Sequence, residues 1–388
     1  MKKVVILGGG FAGIETALRL KQYKDKIEII VVNKDDCFTF IPSLYETAAG
    51  ELSEGDVCVL LSKLLGDKKI HFYHDEVEGV NLEKKFVKTK KAEIDFDFLV
   101  VTVGAETNYF GIPGAEFLAN LKTKDDAESI YEFIDINIGK KPLQFVVCGG
   151  GLTGVEFAGT LQDHINTVSK EKNLDKNQYK VTLVERAGSL LPGLPKKAID
   201  YAESYLKNKG IVVNTNMPIT KIERNLIYSN ETVFPFDLAV WCGGLKTHSV
   251  ISKSSFPLSE AAGGRGLPGG GMIVNEYLQV KDYLFVFGAG DAVCLPEQKV
   301  SVIKTAQNAV DQAKYVAYNI HALLGNKKMK KYVQKKNTFY VALGKDMGMH
   351  LNGETLKTGK AIKQKKDKLE LNYVKILTKG KIPKTIYG

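Results

Sequence analysis

Two stretches of this chain share one design. Residues 2–20, "KKVVILGGGFAGIETALRL", pass from an apolar strand through a glycine turn into a helical pattern, and residues 145–161, "FVVCGGGLTGVEFAGTL", do so again. The glycine registers are Gly8, Gly10, Gly13 and Gly149, Gly151, Gly154. In a G-x-G-x-x-G turn the first glycine permits the tight bend and the second lets backbone approach a pyrophosphate with no Cβ in the way. The third lets the helix pack on the strand. The anion then lies at the helix N-terminus, where free amides and the helix dipole favour it. One such turn alone is weak evidence. Here each follows a strand, opens a helix and leads to a second strand, residues 27–33 ("IEIIVVN") and 180–185 ("KVTLVE"). That context marks two dinucleotide sites.

The residues closing those second strands differ. Glu185 can accept from both hydroxyls of an adenosine ribose and would repel a 2′-phosphate, so NADH is expected over NADPH, with Arg186 pulling the other way. The first unit has Asn33 where an acid is usual; an amide can still accept or donate such bonds. Ala158 is small where the second helix must stay close to its sheet. Each turn is also followed, two residues past its last glycine, by a glutamate, Glu15 and Glu156.

Apolar runs alternating with helical patterns predict an α/β protein with mainly parallel sheets. Strands are expected at 3–8, 27–33, 143–148 and 180–185, and helices at 11–22 and 152–168. Two further segments echo each other: "DFDFLVVTVGAETNYFGIPG" (95–114) and "PFDLAVWCGGLKTHSVI" (235–251) each open on acid and aromatic, then run through a buried strand to glycine. Residues 261–271, "AAGGRGLPGGG", read as a loop. A strand ending in Gly-Asp follows at 284–293, then a helix at 303–323. The last 60 residues read as short strands and a helix near 360–378, with Ile362, Leu369, Tyr373 and Ile376 on one face.

Composition narrows the class. At 388 residues, 44% hydrophobic and 25% charged, the chain is an ordinary globular protein of two to three domains. No apolar run is long enough to span a membrane, and the short one at the N-terminus enters a glycine turn at once, so a cytoplasmic protein is expected. Cys37, Cys58, Cys148, Cys242 and Cys294 are dispersed, which disfavours a disulfide framework or a zinc site. His71 and His74, three apart in a strand, face opposite sides, and no metal is expected. Net charge is +10, but residues 325–388 hold 17 lysines against four acids, so the excess belongs to the tail. Without a stacking pattern of aromatics or a nucleic-acid motif, that tail suits an anionic membrane surface, where each lysine near the surface contributes on the order of 1 kcal/mol. A merely solvated surface, or one for an acidic partner protein, stays open.

Two dinucleotide folds, the second inserted in the first, followed by "GAGDAV" (288–293), resemble the two-dinucleotide-binding flavoproteins. Within them "CFTFIPSLYETAAG" (37–50), "TNYFGIPG" (107–114), "SLLPGLPKKAIDYAESYLKNKGIVV" (189–213) and "AQNA" (306–309) are similar to type II NADH dehydrogenases, the single-subunit NADH:quinone oxidoreductases. The resemblance covers about residues 1–345. It implies FAD on the first fold and NADH on the inserted one, with hydride passing to flavin and two electrons on to a membrane quinone, without proton pumping. Implied boundaries are 1–112 and 244–325 for FAD, 113–243 for NADH, and 326–388 for a lysine-rich α+β region, a membrane or dimer contact. The implied FAD contacts are Gly8, Gly10, Phe11, Ala12, Gly13, Asn33, Lys34, Pro42, Val77, Gly104, Gly290, Asp291, Ala306 and Gln307. Those for NADH are Gly149, Gly151, Leu152, Thr153, Gly154, Glu156, Glu185 and Gly243.

Gln307 is placed by the resemblance near the flavin ring and a quinone carbonyl; by itself it could be a surface glutamine. Glu156 either orients the nicotinamide and takes part in quinone protonation or is an acid stabilised by its helix dipole. Glu15 fits the second role better. The implied place is the inner face of the cell membrane, as a peripheral protein. A sulfide:quinone reductase is the sister alternative. It requires two cysteines at the flavin, one late in the chain, where Cys294 is the last; Lys304, just ahead of the AQ motif, does resemble that branch. A reductase of a soluble carrier and a non-turnover NADH sensor are the other readings.

Overall fold

The computed structural model describes every residue except 25, 67, 260–269, 297–303, 336–337, 384–385 and 388. Most of the loop expected at 261–271 and the start of the helix expected at 303 lie outside the described residues.

Strand Lys2–Leu7 has four fully buried apolar residues in a row, as a central parallel strand covered on both faces requires. It sits inside a six-stranded sheet between Phe98–Val101 and Ile27–Asn33, with His71–His74 on one side and Tyr283–Gly288 and Gln279–Val280 on the other. All neighbours pair parallel except the last two strands, which pair antiparallel. A five-stranded, wholly parallel sheet repeats the plan around Leu143–Cys148, flanked by Tyr179–Val184 and Leu238–Trp241, with Val212–Asn214 and Ala119–Asn120 at its edges. In both sheets the chain moves first to one side of the central strand and later returns on the other. The crevice at that reversal is where an open α/β sheet binds ligands. Each unit also carries a three-stranded antiparallel meander, Val77–Asn81 with Phe86–Thr89 and Glu93–Asp95, and Ile219–Glu223 with Leu226–Ser229 and Thr232–Pro235.

The chain leaves the first sheet after Val101 and rejoins it at Gln279, with all of the second sheet between. The echo between residues 95–114 and 235–251 has a physical counterpart. Beyond their buried strands, Ala105–Thr107 and Leu245–Thr247 pair antiparallel, so the outgoing and returning connections run side by side. The helix after the Gly-Asp motif, Ala306–Leu324, packs along the first cradle helix, Phe11–Gln22.

The last portion is a three-stranded antiparallel sheet, Thr338–Ala342, Gly348–Asn352 and Thr355–Gly359, and the helix Lys360–Thr378. The helix stands where the pattern predicts, but its inward face is turned from the one expected. Ile362, Leu369 and Ile376 are only partly buried, and the covered stripe is Lys363, Lys366, Glu370, Tyr373, Val374 and Leu377. An apolar periodicity cannot find a stripe whose first half is charged. Two lysines of the basic tail, Lys363 and Lys366, lie in the interior at 2% and 1% exposure, so they are not part of its surface charge.

Candidate functional site

The two cradles are built alike to atomic detail. Gly8 and Gly149 have φ of +104° and +116°, a region L side chains avoid. A Cβ on Gly13 would stand 1.9 Å from the Gly8 carbonyl oxygen, and one on Gly154 would stand 1.9 Å from that of Gly149. These glycines are locked by the protein's own backbone. The middle ones are not: a Cβ on Gly10 or Gly151 would meet no atom within 4 Å. Each is the N-cap of its helix without a side-chain cap, leaving amides to face the open side. That is the surface a pyrophosphate needs.

Asn33 and Glu185 do the same work in the two units. Asn33 Oδ1 accepts from the Gly9 N–H at 2.8 Å, and Glu185 Oε2 accepts from the Gly150 N–H at 2.6 Å. Glu185 Oε1 also accepts from the Ala187 N–H. The departure from an acid at Asn33 therefore costs the turn nothing, since an amide oxygen ties it equally well.

One cavity of about 1780 Å³ runs from the first cradle to the second. Gly8, Gly10, Phe11, Ala12, Asn33, Lys34, Pro42, Val77, Gly104, Gly290, Asp291, Ala306 and Gln307 line it, and so do Leu152, Thr153 and Glu156. Gly13, Gly149, Gly151, Gly154, Glu185 and Gly243 are not on its wall. They belong to the turns behind it and to the separate open side of the second cradle; Gly243 packs beside Trp241 and Cys148. Asp291 is buried enough to raise its pKa, opposed by Lys304 and Lys122. Lys304 donates to the Asp291 and Val293 carbonyls at 2.9 and 2.6 Å. Lys122 enters from the second unit, its pKa lowered by burial. Thr305 caps the Ala306–Leu324 helix by accepting from the Asn308 N–H, which aims that helix start at the cavity.

The two glutamates part company here. Glu15, 2% exposed, pairs with Arg19 one turn along its own helix at 2.5 Å. Glu156 reaches across to the last portion of the chain: Oε1 accepts from the Ala342 N–H at 3.0 Å and lies 3.4 Å from Lys366 Nζ. Burial raises the Glu156 pKa, against the pull of Lys366.

Lys366 is the hub of a buried polar network that sequence reasoning missed. Its ammonium donates to Glu370 Oε2 at 2.9 Å and to the Tyr45 hydroxyl at 3.0 Å. Burial disfavours its charge, yet Glu156 and Glu370 hold its pKa well above the ordinary lysine value. Burial lifts Glu370 to about 7, with Lys366 opposing. One cation thus serves two carboxylates, and near neutrality the pair retains a proton. Glu370 also accepts from Ser43 Oγ at 3.2 Å and from the Tyr387 hydroxyl. Beside it, Lys363 donates to Glu46 and Asp367 at 2.8 and 2.7 Å. Glu46, Asp367 and Glu370 bring carboxylate oxygens within 4.8 Å of one another, but these ammonium groups already neutralise them. The signal in the sequence was the spacing of Lys363, Lys366 and Glu370, in step with Tyr373 and Leu377.

Cys148 ends one strand and Cys242 directly follows its neighbour Leu238–Trp241, the Cys242 N–H donating to the Cys148 carbonyl. Burial pushes the Cys242 thiol up to about 12 and that of Cys148 higher still, so neither is a thiolate at neutral pH. Cys37 and Cys242 line the cavity; Cys294 does not. Among the described residues no helix is long and apolar enough to cross a membrane.

Comparison with known proteins places this geometry. The chain is similar to the type II NADH:quinone oxidoreductase of Staphylococcus aureus strain NCTC 8325, 28% identical over 373 residues, covering 90% of this chain and 89% of that one. It is also similar to that of Staphylococcus saprophyticus, 27% identical over 341 residues and 83% of each. Among solved structures, the sulfide:quinone oxidoreductase of Aquifex aeolicus superposes with a TM-score of 0.85 at 21% identity, over 99% of this chain and 93% of that one. NDH2 of Plasmodium falciparum in complex with NADH does so at 0.83 and 21%, over 95% and 94%. The family model for pyridine nucleotide-disulphide oxidoreductases matches residues 2–313. That match spans most of the chain, which belongs to the pyridine nucleotide-disulphide oxidoreductase family.

Proposed function

We propose that the protein is an FAD-dependent NADH:quinone oxidoreductase of the type II kind, working without proton pumping. The observation that carries this is the continuous cavity walled by the first cradle, by Leu152, Thr153 and Glu156 of the second, and by Ala306–Gln307. The named relatives support the same reading. Residues 1–112 and 244–325 are assigned to FAD, 113–243 to NADH and 326–388 to the acceptor and membrane side.

The chain fits both dinucleotides. Gly10 presents open backbone to the FAD pyrophosphate, with Asp291 and the start of the Ala306–Leu324 helix on the cavity wall. Gly151 does the same for NADH, and Glu185 favours it over NADPH. Bound FAD supplies the hydride-accepting and electron-donating chemistry. The protein's part is to hold and move protons. A hydride from NADH brings two electrons and one proton, and a quinol needs a second proton. Glu156 stands at the cavity wall with a raised pKa, and Lys366 connects it to Glu370. Glu156 gives up that proton, is reprotonated through the Lys366–Glu370 pair, and the pair regains a proton from solvent before the next turnover. Gln307 offers a neutral amide to a quinone carbonyl.

The basic face of residues 326–388 is assigned to the anionic inner surface of the cell membrane. A homodimer through this region is compatible with the same surface, and nucleic acid is not a proposed partner. Stopped-flow bleaching of the flavin by NADH, followed by reoxidation with a menaquinone or ubiquinone analogue, tests the reading. A fully reduced flavin that no quinone reoxidises would turn it to a soluble carrier. Cys242 and Lys304 at the wall favour the sulfide:quinone alternative, but it needs a second thiol late in the chain, and Cys294 is off the cavity, the other cysteine on the wall being Cys37 of the first unit. Sulfide as sole donor is expected to leave the flavin oxidised.

A further inference from the structure

Tyr387 takes up the stacking contact that an acceptor ring would make, and Ile386 lies against the amide beside it. The Ile386 N–H donates to the Gln307 side-chain oxygen at 3.1 Å, and Ile386 itself is 1% exposed. The Tyr387 ring stacks on Tyr340, centroids 5.4 Å apart with 29° between planes. Its hydroxyl donates to Glu370 Oε1. Tyr387 and Tyr340 both line the cavity beside Ala306 and Gln307. The aromatic face beside the amide proposed for a quinone carbonyl is therefore engaged by the protein's own chain, as is the oxygen of that amide.

Of these contacts the stack is the one a planar quinone ring reproduces; the two hydrogen bonds are donated by the chain, and a quinone carbonyl, which only accepts, would instead take a hydrogen bond from the Gln307 amide nitrogen. Glu156, Tyr45 and Lys366 hold the floor of this region through a buried ion pair and a buried hydrogen bond, whereas Ile386 and Tyr387 are held by the stack, by two hydrogen bonds and by packing. Ile386 and Tyr387 are the parts that can exchange.

We propose that Tyr387 selects the acceptor: it holds the place on Tyr340 where a planar quinone ring stacks, and the acceptor enters by exchanging with it. This deepens the quinone reading and rests on it. Acceptor affinity is then the difference between the acceptor's contacts and those of Tyr387, so flat, small rings are favoured over bulky ones. Exchange also takes the hydroxyl away from Glu370, so the carboxyl beside Lys366 loses a donor as the acceptor arrives.

The test uses the FAD-loaded full chain and menadione as probe. The single tryptophan, Trp241, lines the same cavity, so quenching of its fluorescence reports binding without turnover. Tyr387→Ala removes the competitor, stack and hydroxyl together, and is expected to tighten menadione about tenfold. Tyr387→Phe keeps the stack, drops the Glu370 bond and should tighten it about twofold. Weaker or unchanged menadione binding in Tyr387→Ala overturns the proposal; should that variant not fold, the same result in Tyr387→Phe does so. A wild-type enzyme whose reduced flavin no quinone reoxidises refutes the quinone reading. Intact quinone turnover with equal menadione affinity in wild type and variant refutes the exchange alone.

Discussion

Replacing Lys366 by Met removes the one ammonium that Glu156 and Glu370 share. The lysine is 1% exposed, Glu370 1% and Glu156 8%, so water cannot take over its role. Removing one partner of a buried ion pair costs about 3–5 kcal/mol, because the remaining charge is left uncompensated. Unfolding entropy of roughly 2.1 cal/mol/K per residue gives about 0.8 kcal/mol/K for a chain of this length melting as one unit, so the expected drop in Tm is about 4–6 °C. The loss has a signed pH dependence. In the wild type Lys366 has a raised pKa, so its contribution is full throughout the range below the ordinary lysine value. Glu370 has a raised pKa as well, about 7, and its protonated form contributes stability that is lost as pH rises through that value. Without the lysine both carboxyls ionise later still, so the Lys366→Met penalty grows from pH 5 to pH 8. The double variant Lys366→Met/Glu370→Gln removes one of the two orphaned acids and should recover about half of the loss. Thermal melts at both pH values check this. A Lys366→Met melt equal to wild type at pH 8, or a deficit that does not change with pH, would refute the reasoning.

Glu156→Gln can still accept from the Ala342 N–H, so fold and FAD content should persist while flavin reduction or quinone turnover slows about 100-fold; stopped-flow traces decide it. Gly10→Ala and Gly151→Ala place a methyl in open space at φ of −82° and −72°, so both should fold. The first is expected to lose FAD on gel filtration and the second to raise the KM for NADH about tenfold with FAD retained, whereas Gly13→Ala, which collides with the Gly8 carbonyl, should fail to accumulate as folded protein. Changing the exposed lysines Lys365, Lys368 and Lys375 together to Gln should weaken binding to anionic liposomes by about 3 kcal/mol at low salt while NADH:ferricyanide activity is kept; unaltered sedimentation with vesicles would remove this face as the membrane contact.

The sequence alone determined the two cradles, because their demands are local. A positive φ at Gly8 and Gly149, a close approach at Gly13 and Gly154, and an apolar parallel strand before each turn are properties of neighbouring residues, and they leave a mark at fixed spacing. The inequality of Glu15 and Glu156 was legible only as a preference. Arg19 lies four residues from Glu15, within reach of a pattern, but Lys366 meets Glu156 across more than two hundred residues. Tertiary structure alone decided the inward turn of the Lys360–Thr378 helix, since its charged stripe is stable inside only because Glu46, Tyr45 and Glu156 are there to meet it. It decided the place of Ile386 and Tyr387 for the same reason. Partners for a buried charge or an aromatic face are chosen by the fold, and no local spacing encodes them.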